Sequence, residues 1–240
     1  MPPEAKAVQG IAMPVPREIF RTLDQLSDAN WNAVRRPEVA HWKSHGDETQ
    51  VAALLGVVLA EGFIAMEAKD ANGVKEVGAS ALKLARGLGV QGPVLARSRS
   101  IIDHSERGEW DAARAEWDSV LSDLEKGMIT LRSEKLAGLV SAFGWLRGTE
   151  ALSAVVLQNY SAERAKLLQQ PGLVDYLQKQ LPAPDKRRHS GAIVRQLSEE
   201  LEKARKLTGT SGTISREDAG KLHDLCGKLV RLAANRPSSH

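Results

Sequence analysis

The sequence predicts an all-α fold: an antiparallel multi-helix bundle followed by a C-terminal helical hairpin, a coiled-coil-like arm. Three observations carry that expectation. Apolar residues recur at helical spacing along most of the 240-residue chain, the pattern of amphipathic helices. No stretch alternates Val, Ile and aromatic residues with a period of two, as a half-buried strand would. Two capping boxes, Asp47-x-x-Gln50 and Ser215-x-x-Asp218, mark helix starts by pairing a short polar side chain with amides of the first turn.

Taken in order, residues 1–16 read as an extended or disordered lead rich in Pro (Pro2, Pro3, Pro14, Pro16). Pro16 then opens a helix over Arg17–Ala29, since Pro is preorganised for a first turn. Asn30–Gly46 is a non-repetitive connector broken by Pro37. A strongly apolar helix follows from Glu48 to Asp70, and Asn72-Gly73 bends the path into a stripe of Val74, Val77, Ala81, Leu84, Ala85 and Leu88. Gly87-Leu88-Gly89 ends that helix and Pro93 begins the next, with Val94, Ile101 and Ile102 inside it. Over Glu109–Leu131 the residues Trp110, Ala113, Trp117, Val120, Leu121, Leu124, Met128 and Leu131 fall on one side, as a helix lying on a core requires. Lys135–Gln158 is apolar nearly all round, which predicts a central element. Gln170-Pro171-Gly172 and Leu181-Pro182-Ala183-Pro184 punctuate two short helices that close the bundle at residue 181. The hairpin occupies residues 182–240, with one apolar seam of Val194, Leu197, Leu201 and Ala204 and another of Leu222, Leu225, Leu229 and Leu232.

Composition excludes several classes. A formal charge of +3 is too small a field to imply nucleic acid or an anionic membrane by itself. From Pro182 onward twelve Lys and Arg face seven Asp and Glu, so the basic excess lies in the hairpin. The single Cys226 supplies neither an internal disulfide nor a zinc cluster. Val51–Met66 and Leu136–Leu157 approach the ~20 residues of a membrane span. The first carries Glu61 and the second Arg147 and Glu150, so both read as core helices. No signal peptide is visible, so a cytoplasmic setting is expected, with a mature exported chain as the alternative.

Gly87-Leu88-Gly89-Val90-Gln91-Gly92 spells the dinucleotide fingerprint. A helix precedes it where the mechanism needs a strand, so it reads as a helix–helix turn. His41 and His45 lie four residues apart with Asp47 and Glu48 behind, yet no third ligand follows at metal spacing. No metal, cofactor or catalytic residue is assigned. Gly108-Glu109-Trp110-Asp111-Ala112-Ala113 with Trp117 and Val120 resembles the turn and second helix of a tetratricopeptide repeat. The resemblance covers about half a repeat, and no second copy appears at the right period. It implies helices packed as antiparallel neighbours.

Two sets of residues are candidate sites. Arg147 and Glu150 lie within the apolar arc of Leu136, Leu139, Val140, Phe143, Ala154 and Leu157, the face that should be buried. A buried charge must find a partner or line a wet cavity, and Glu61 on the other apolar helix is the natural partner for Arg147. The result is either a register-fixing ion pair or a pocket for an anionic ligand with Arg147 as its clamp. The connector residues Trp31, Arg35, Arg36, His41, Trp42 and His45 mix aromatic and cationic groups, the composition of binding hot spots. The preferred function is a non-catalytic helical scaffold that recognises a protein or peptide through this connector or a helical groove, with possible self-association through the hairpin. The alternative is a bundle that binds or transforms a small anionic molecule at Arg147, Glu150 and Glu61. Nucleic-acid contact by Lys186, Arg187, Arg188, Arg195, Lys203, Arg205 and Lys206 is a minor reading, because Glu199, Glu200 and Glu202 interrupt them and no aromatic is interleaved.

Overall fold

The computed structural model describes residues 26, 29–44, 47–183, 190–208 and 212–234. The lead, most of the Arg17–Ala29 expectation, His45 and Lys186 to Arg188 lie outside them. Among the described residues there is no strand, and the helices pack against one another as an all-α bundle. Two 3₁₀ turns, Trp31–Val34 and Pro37–His41, precede α1 (Glu48–Glu67), α2 (Ala71–Gly87), α3 (Gln91–Glu106), α4 (Trp110–Thr130) and α5 (Glu134–Gln158). A short α6 (Ala162–Ala165) and a 3₁₀ turn (Lys166–Leu168) lead to α7 (Pro171–Gln180), α8 (Ser190–Thr208) and α9 (Arg216–Leu232).

The helix boundaries follow from local chemistry. Asp47 Oδ1 accepts the amides of Thr49 at 3.0 Å and Gln50 at 3.4 Å, opening α1. Ser215 Oγ accepts the Asp218 amide at 3.0 Å at the start of α9. Each cap satisfies donors that a first turn cannot pair internally. Gly89 takes a φ of 73° between α2 and α3, the left-handed value that glycine tolerates without a Cβ penalty. The Gly87–Gly92 run is therefore a helix–helix turn.

Two elements make the centre. In α1 an unbroken run from Ala52 to Met66 is buried, and in α5 most residues from Ala137 to Val156 are. Both helices are apolar on every side, so each needs neighbours all round. α1 and α5 pack on each other along much of their length, α2 covers α1, and α9 and α7 cover α5. By length and composition α1 could cross a membrane, with a mean hydropathy of 1.8, but 89% of that window is buried inside the protein. Its apolar surface is used as core. α3 and α4 pack on each other beside α2. The indole of Trp117 in α4 is buried, and its Nε1 donates to the Leu59 carbonyl at 3.3 Å. The expected stripe of α4 is buried from Ala113 to Met128, while Leu131 is 51% exposed because the helix ends at Thr130.

α8 and α9 touch each other, and α7 touches α8. The main contact of α9 is with α5, so its seam of Leu222, Cys226 and Leu229 is buried in the common core.

Candidate functional site

The site grows from three charges that the helical pattern places in the interior. Arg147 is 1% exposed, Glu61 0% and Glu150 2%. Arg147 and Glu150 are three residues apart on α5, one turn, and Glu61 faces them from α1. Arg147 Nε donates to Glu61 Oε2 at 2.9 Å, and its second terminal nitrogen reaches the same oxygen at 2.7 Å. The first terminal nitrogen donates to Glu150 Oε2 at 3.3 Å. Buried charges are tolerated only when each has an opposite charge and its hydrogen bonds.

The connector completes this arrangement. Asn30 Oδ1 accepts the Ala33 amide at 3.3 Å, shaping the first 3₁₀ turn, while Trp31, Val34 and Val39 are buried and anchor the segment to the core. Arg35 is extended, and Pro37 keeps Arg36 out of helical geometry. The Val34 carbonyl and the Arg36 amide therefore lack helical partners, and the buried network supplies them. Arg147 donates to the Val34 carbonyl at 2.6 Å, and Glu61 Oε1 accepts the Arg36 amide at 2.8 Å. The Arg36 guanidinium pairs with Glu150 Oε1, and the Arg35 guanidinium pairs with Asp70. Burial pushes the Asp70 carboxyl up, but the Gly73 amide and the Arg35 guanidinium outweigh it and hold the carboxyl below its ordinary value.

α9 forms the remaining wall. His223 Nδ1 lies 3.0 Å from the Glu150 carbonyl oxygen. Gly227 faces the Glu150 carboxylate closely, and an added Cβ would lie 3.5 Å from an Arg36 terminal nitrogen. Cys226 is fully buried beside them. Burial first, and the Glu150 charge second, push its thiol well above the ordinary range, so it is a poor nucleophile.

Between these elements lies a cavity of about 260 Å³, partly open to solvent and lined by Ala33, Val34, Arg35, Arg36, Arg147, Glu150, Ala151, Ala154 and His223. Three guanidiniums and one carboxylate stand on its wall; Glu61 and Asp70 sit behind. Arg36 is the most exposed of the three cations, its side chain 22% accessible against 9% for Arg35 and 1% for Arg147. The Arg35 Nε–H is buried and has no hydrogen-bond partner; Glu61 Oε1 is 3.9 Å away. Among the described residues no group of three or more His, Cys, Asp and Glu could hold a metal ion.

The two sets of sequence candidates thus meet. Arg147, Glu150 and Glu61 are joined by Arg35 and Arg36 of the connector. Trp31 is buried, Trp42 is half-buried against the core, and His41 is exposed, 4.0 Å from Glu76. Sequence reasoning missed His223, Asp70 and the Val34 carbonyl. The helical wheel could have put His223 beside the Leu222 and Cys226 seam, but nothing local shows which helix that seam meets. On α8, Lys203 pairs with Glu200, and Arg205 with Glu202 and Asp175. No protein-family model, curated protein or solved structure matches this chain.

Proposed function

We propose that this protein binds a small carboxylate-bearing molecule in the cavity between the connector, α5 and α9. The single observation that carries the reading is a half-open hollow walled by three guanidiniums and one carboxylate. Each guanidinium has five N–H donors, and Arg35 and Arg36 each spend few of them on protein acceptors. Surplus fixed donors beside a hollow suit an anion, because ligand pockets place a few convergent polar groups for orientation. The volume lies below the roughly 300–1,000 Å³ of pockets for drug-sized ligands, so the molecule is small. Arg35, Arg36 and Arg147 are already balanced by Glu61, Glu150 and Asp70. One added carboxylate therefore disturbs the charge less than a dianionic phosphate, and uncompensated buried charge is costly.

Recognition of a protein or peptide through the connector would rest on His41 and the half-exposed edge of Trp42, because Trp31 is buried and Arg35 and Arg36 face the cavity. The anionic-ligand reading draws on more of the site.

Calorimetric titration of the purified protein with short-chain monocarboxylates and with inorganic phosphate tests it. The expected result is saturable carboxylate binding, weaker phosphate binding, and at least about tenfold weaker carboxylate binding in Arg36→Gln, the loss of one charge-assisted hydrogen bond. Unchanged affinity in that variant, or stronger binding of phosphate, contradicts the reading.

A further inference from the structure

The proposed carboxylate site has a second determinant on its opposite wall, and it follows from the hydrogen bond that one imidazole makes. His223 Nδ1 faces the backbone carbonyl oxygen of Glu150 at 3.0 Å. A carbonyl oxygen only accepts, so Nδ1 carries the proton and donates. In the neutral ring the other nitrogen, Nε2, then holds a lone pair and is an acceptor. Among the described residues no side chain or backbone group pairs with it, while His223 itself lines the cavity. The remaining polar wall consists of guanidinium donors and Glu150, whose two carboxylate oxygens are occupied by Arg36 and Arg147. The hollow thus has unpaired donors on its connector side and, on its α9 side, His223 with one unpaired acceptor.

That polarity restricts the ligand. A carboxylate satisfies the guanidiniums but offers nothing to Nε2, because an ionised carboxylate has no proton to donate. Resting on the anionic-ligand reading, we infer that the ligand is a hydroxycarboxylate, whose hydroxyl donates to His223 Nε2 while its carboxylate meets Arg35 and Arg36. Both walls are tied to the same residue, since Arg36 pairs with the Glu150 side chain and His223 with the Glu150 carbonyl. The two ends of the ligand are therefore separated by only a few bonds. Glu150 acts as the positioning residue for both walls; His223 and the arginines make the contacts.

The test compares propionate, 2-hydroxypropionate and 3-hydroxypropionate by calorimetric titration of the full chain. These share three carbons and one carboxylate and differ only in the hydroxyl. At least one hydroxy acid is expected to bind about tenfold more tightly than propionate, the upper range for one hydrogen bond between neutral partners. In His223→Leu that preference is expected to vanish. Equal binding of all three acids by the unaltered protein, or a hydroxyl preference that survives His223→Leu, overturns the inference and leaves the carboxylate site standing. If His223→Leu does not fold, as its thermal unfolding profile would reveal, the comparison of the three acids on the unaltered protein decides alone. Failure of all three to bind removes the carboxylate site itself, and the hydroxyl contact with it.

Discussion

Arg147 is the residue on which the interior depends. Its guanidinium meets Glu61, Glu150 and the Val34 carbonyl with three nitrogens. Replacing a whole buried ion pair by apolar groups is often neutral, but removing one partner strands the other charge. Arg147→Met leaves Glu61 fully buried, with the Arg36 amide bonded to it and the Arg35 Nε 3.9 Å away as its remaining charged neighbour. A loss of about 3–5 kcal/mol is expected by chemical denaturation, or a drop of roughly 6–20 °C in melting temperature for a chain of this size. A loss below about 1 kcal/mol would mean that water or another cation reaches Glu61. The partnership of Arg147 and Glu61 was legible in the sequence, because helical spacing fixed their faces and the cost of an unpaired interior charge demanded a match. The participation of Arg35 and Arg36 was not. Their direction depends on two 3₁₀ turns and on backbone groups left unpaired around Pro37, and neither leaves a periodic trace. The same two arginines read as a surface hot spot from composition and as part of the buried network from geometry.

At the scale of elements, the contact between α1 and α5 sets how closely the charged groups approach. A Cβ on Gly56 would overlap the Val140 carbonyl oxygen and lie 2.9 Å from the Gly144 amide nitrogen. Backbone cannot swing aside as a side-chain tip can, so Gly56→Ala forces the helices apart. Overpacking costs up to about 3 kcal/mol, and better helix propensity returns about 1, giving a net loss of about 2 kcal/mol. Gly78 on α2 is the matched control, because a Cβ there meets nothing within 4 Å. Gly78→Ala is expected to stabilise by about 0.5–1 kcal/mol. Parallel urea titrations check both, and equal signs for the two would show that propensity, not helix contact, governs them.

The turn between α3 and α4 makes a separate prediction. Hydrogen bonds from Arg107 and then His104 pull the Glu109 carboxyl from 4.5 down to about 2. A carboxyl lowered by folding stabilises the fold above its unfolded value and loses that contribution as pH falls through the lower one. This part of the acid response therefore lies between about pH 4.5 and 2, and Glu109→Gln is expected to flatten it in thermal melts taken across that range. The Asp70 carboxyl shifts in the same direction, so some acid sensitivity remains in the variant. An unchanged profile in Glu109→Gln would locate the acid response elsewhere.

At the scale of the whole molecule, the number and span of most described helices were readable from periodicity and caps, since both are local. The assembly was less so. The apolar seam of α9 fits equally well, as a pattern, against α8 or against α5, and only the three-dimensional arrangement puts its main contact on α5. That choice brings His223 and Gly227 to Glu150 and closes the third wall of the cavity. The function proposed here is thus a property of assembly: the connector, α5 and α9 are far apart in the chain and meet at one hollow. The most direct measurement is a two-dimensional ¹H–¹⁵N NMR spectrum of the arginine Nε–H groups, followed during titration with 2-hydroxypropionate. The Arg35 and Arg36 signals are expected to shift saturably while those of Arg97 and Arg205, paired on the surface, stay in place. Stationary Arg35 and Arg36 signals, or a uniform drift of all arginines with added salt, would contradict the proposed site.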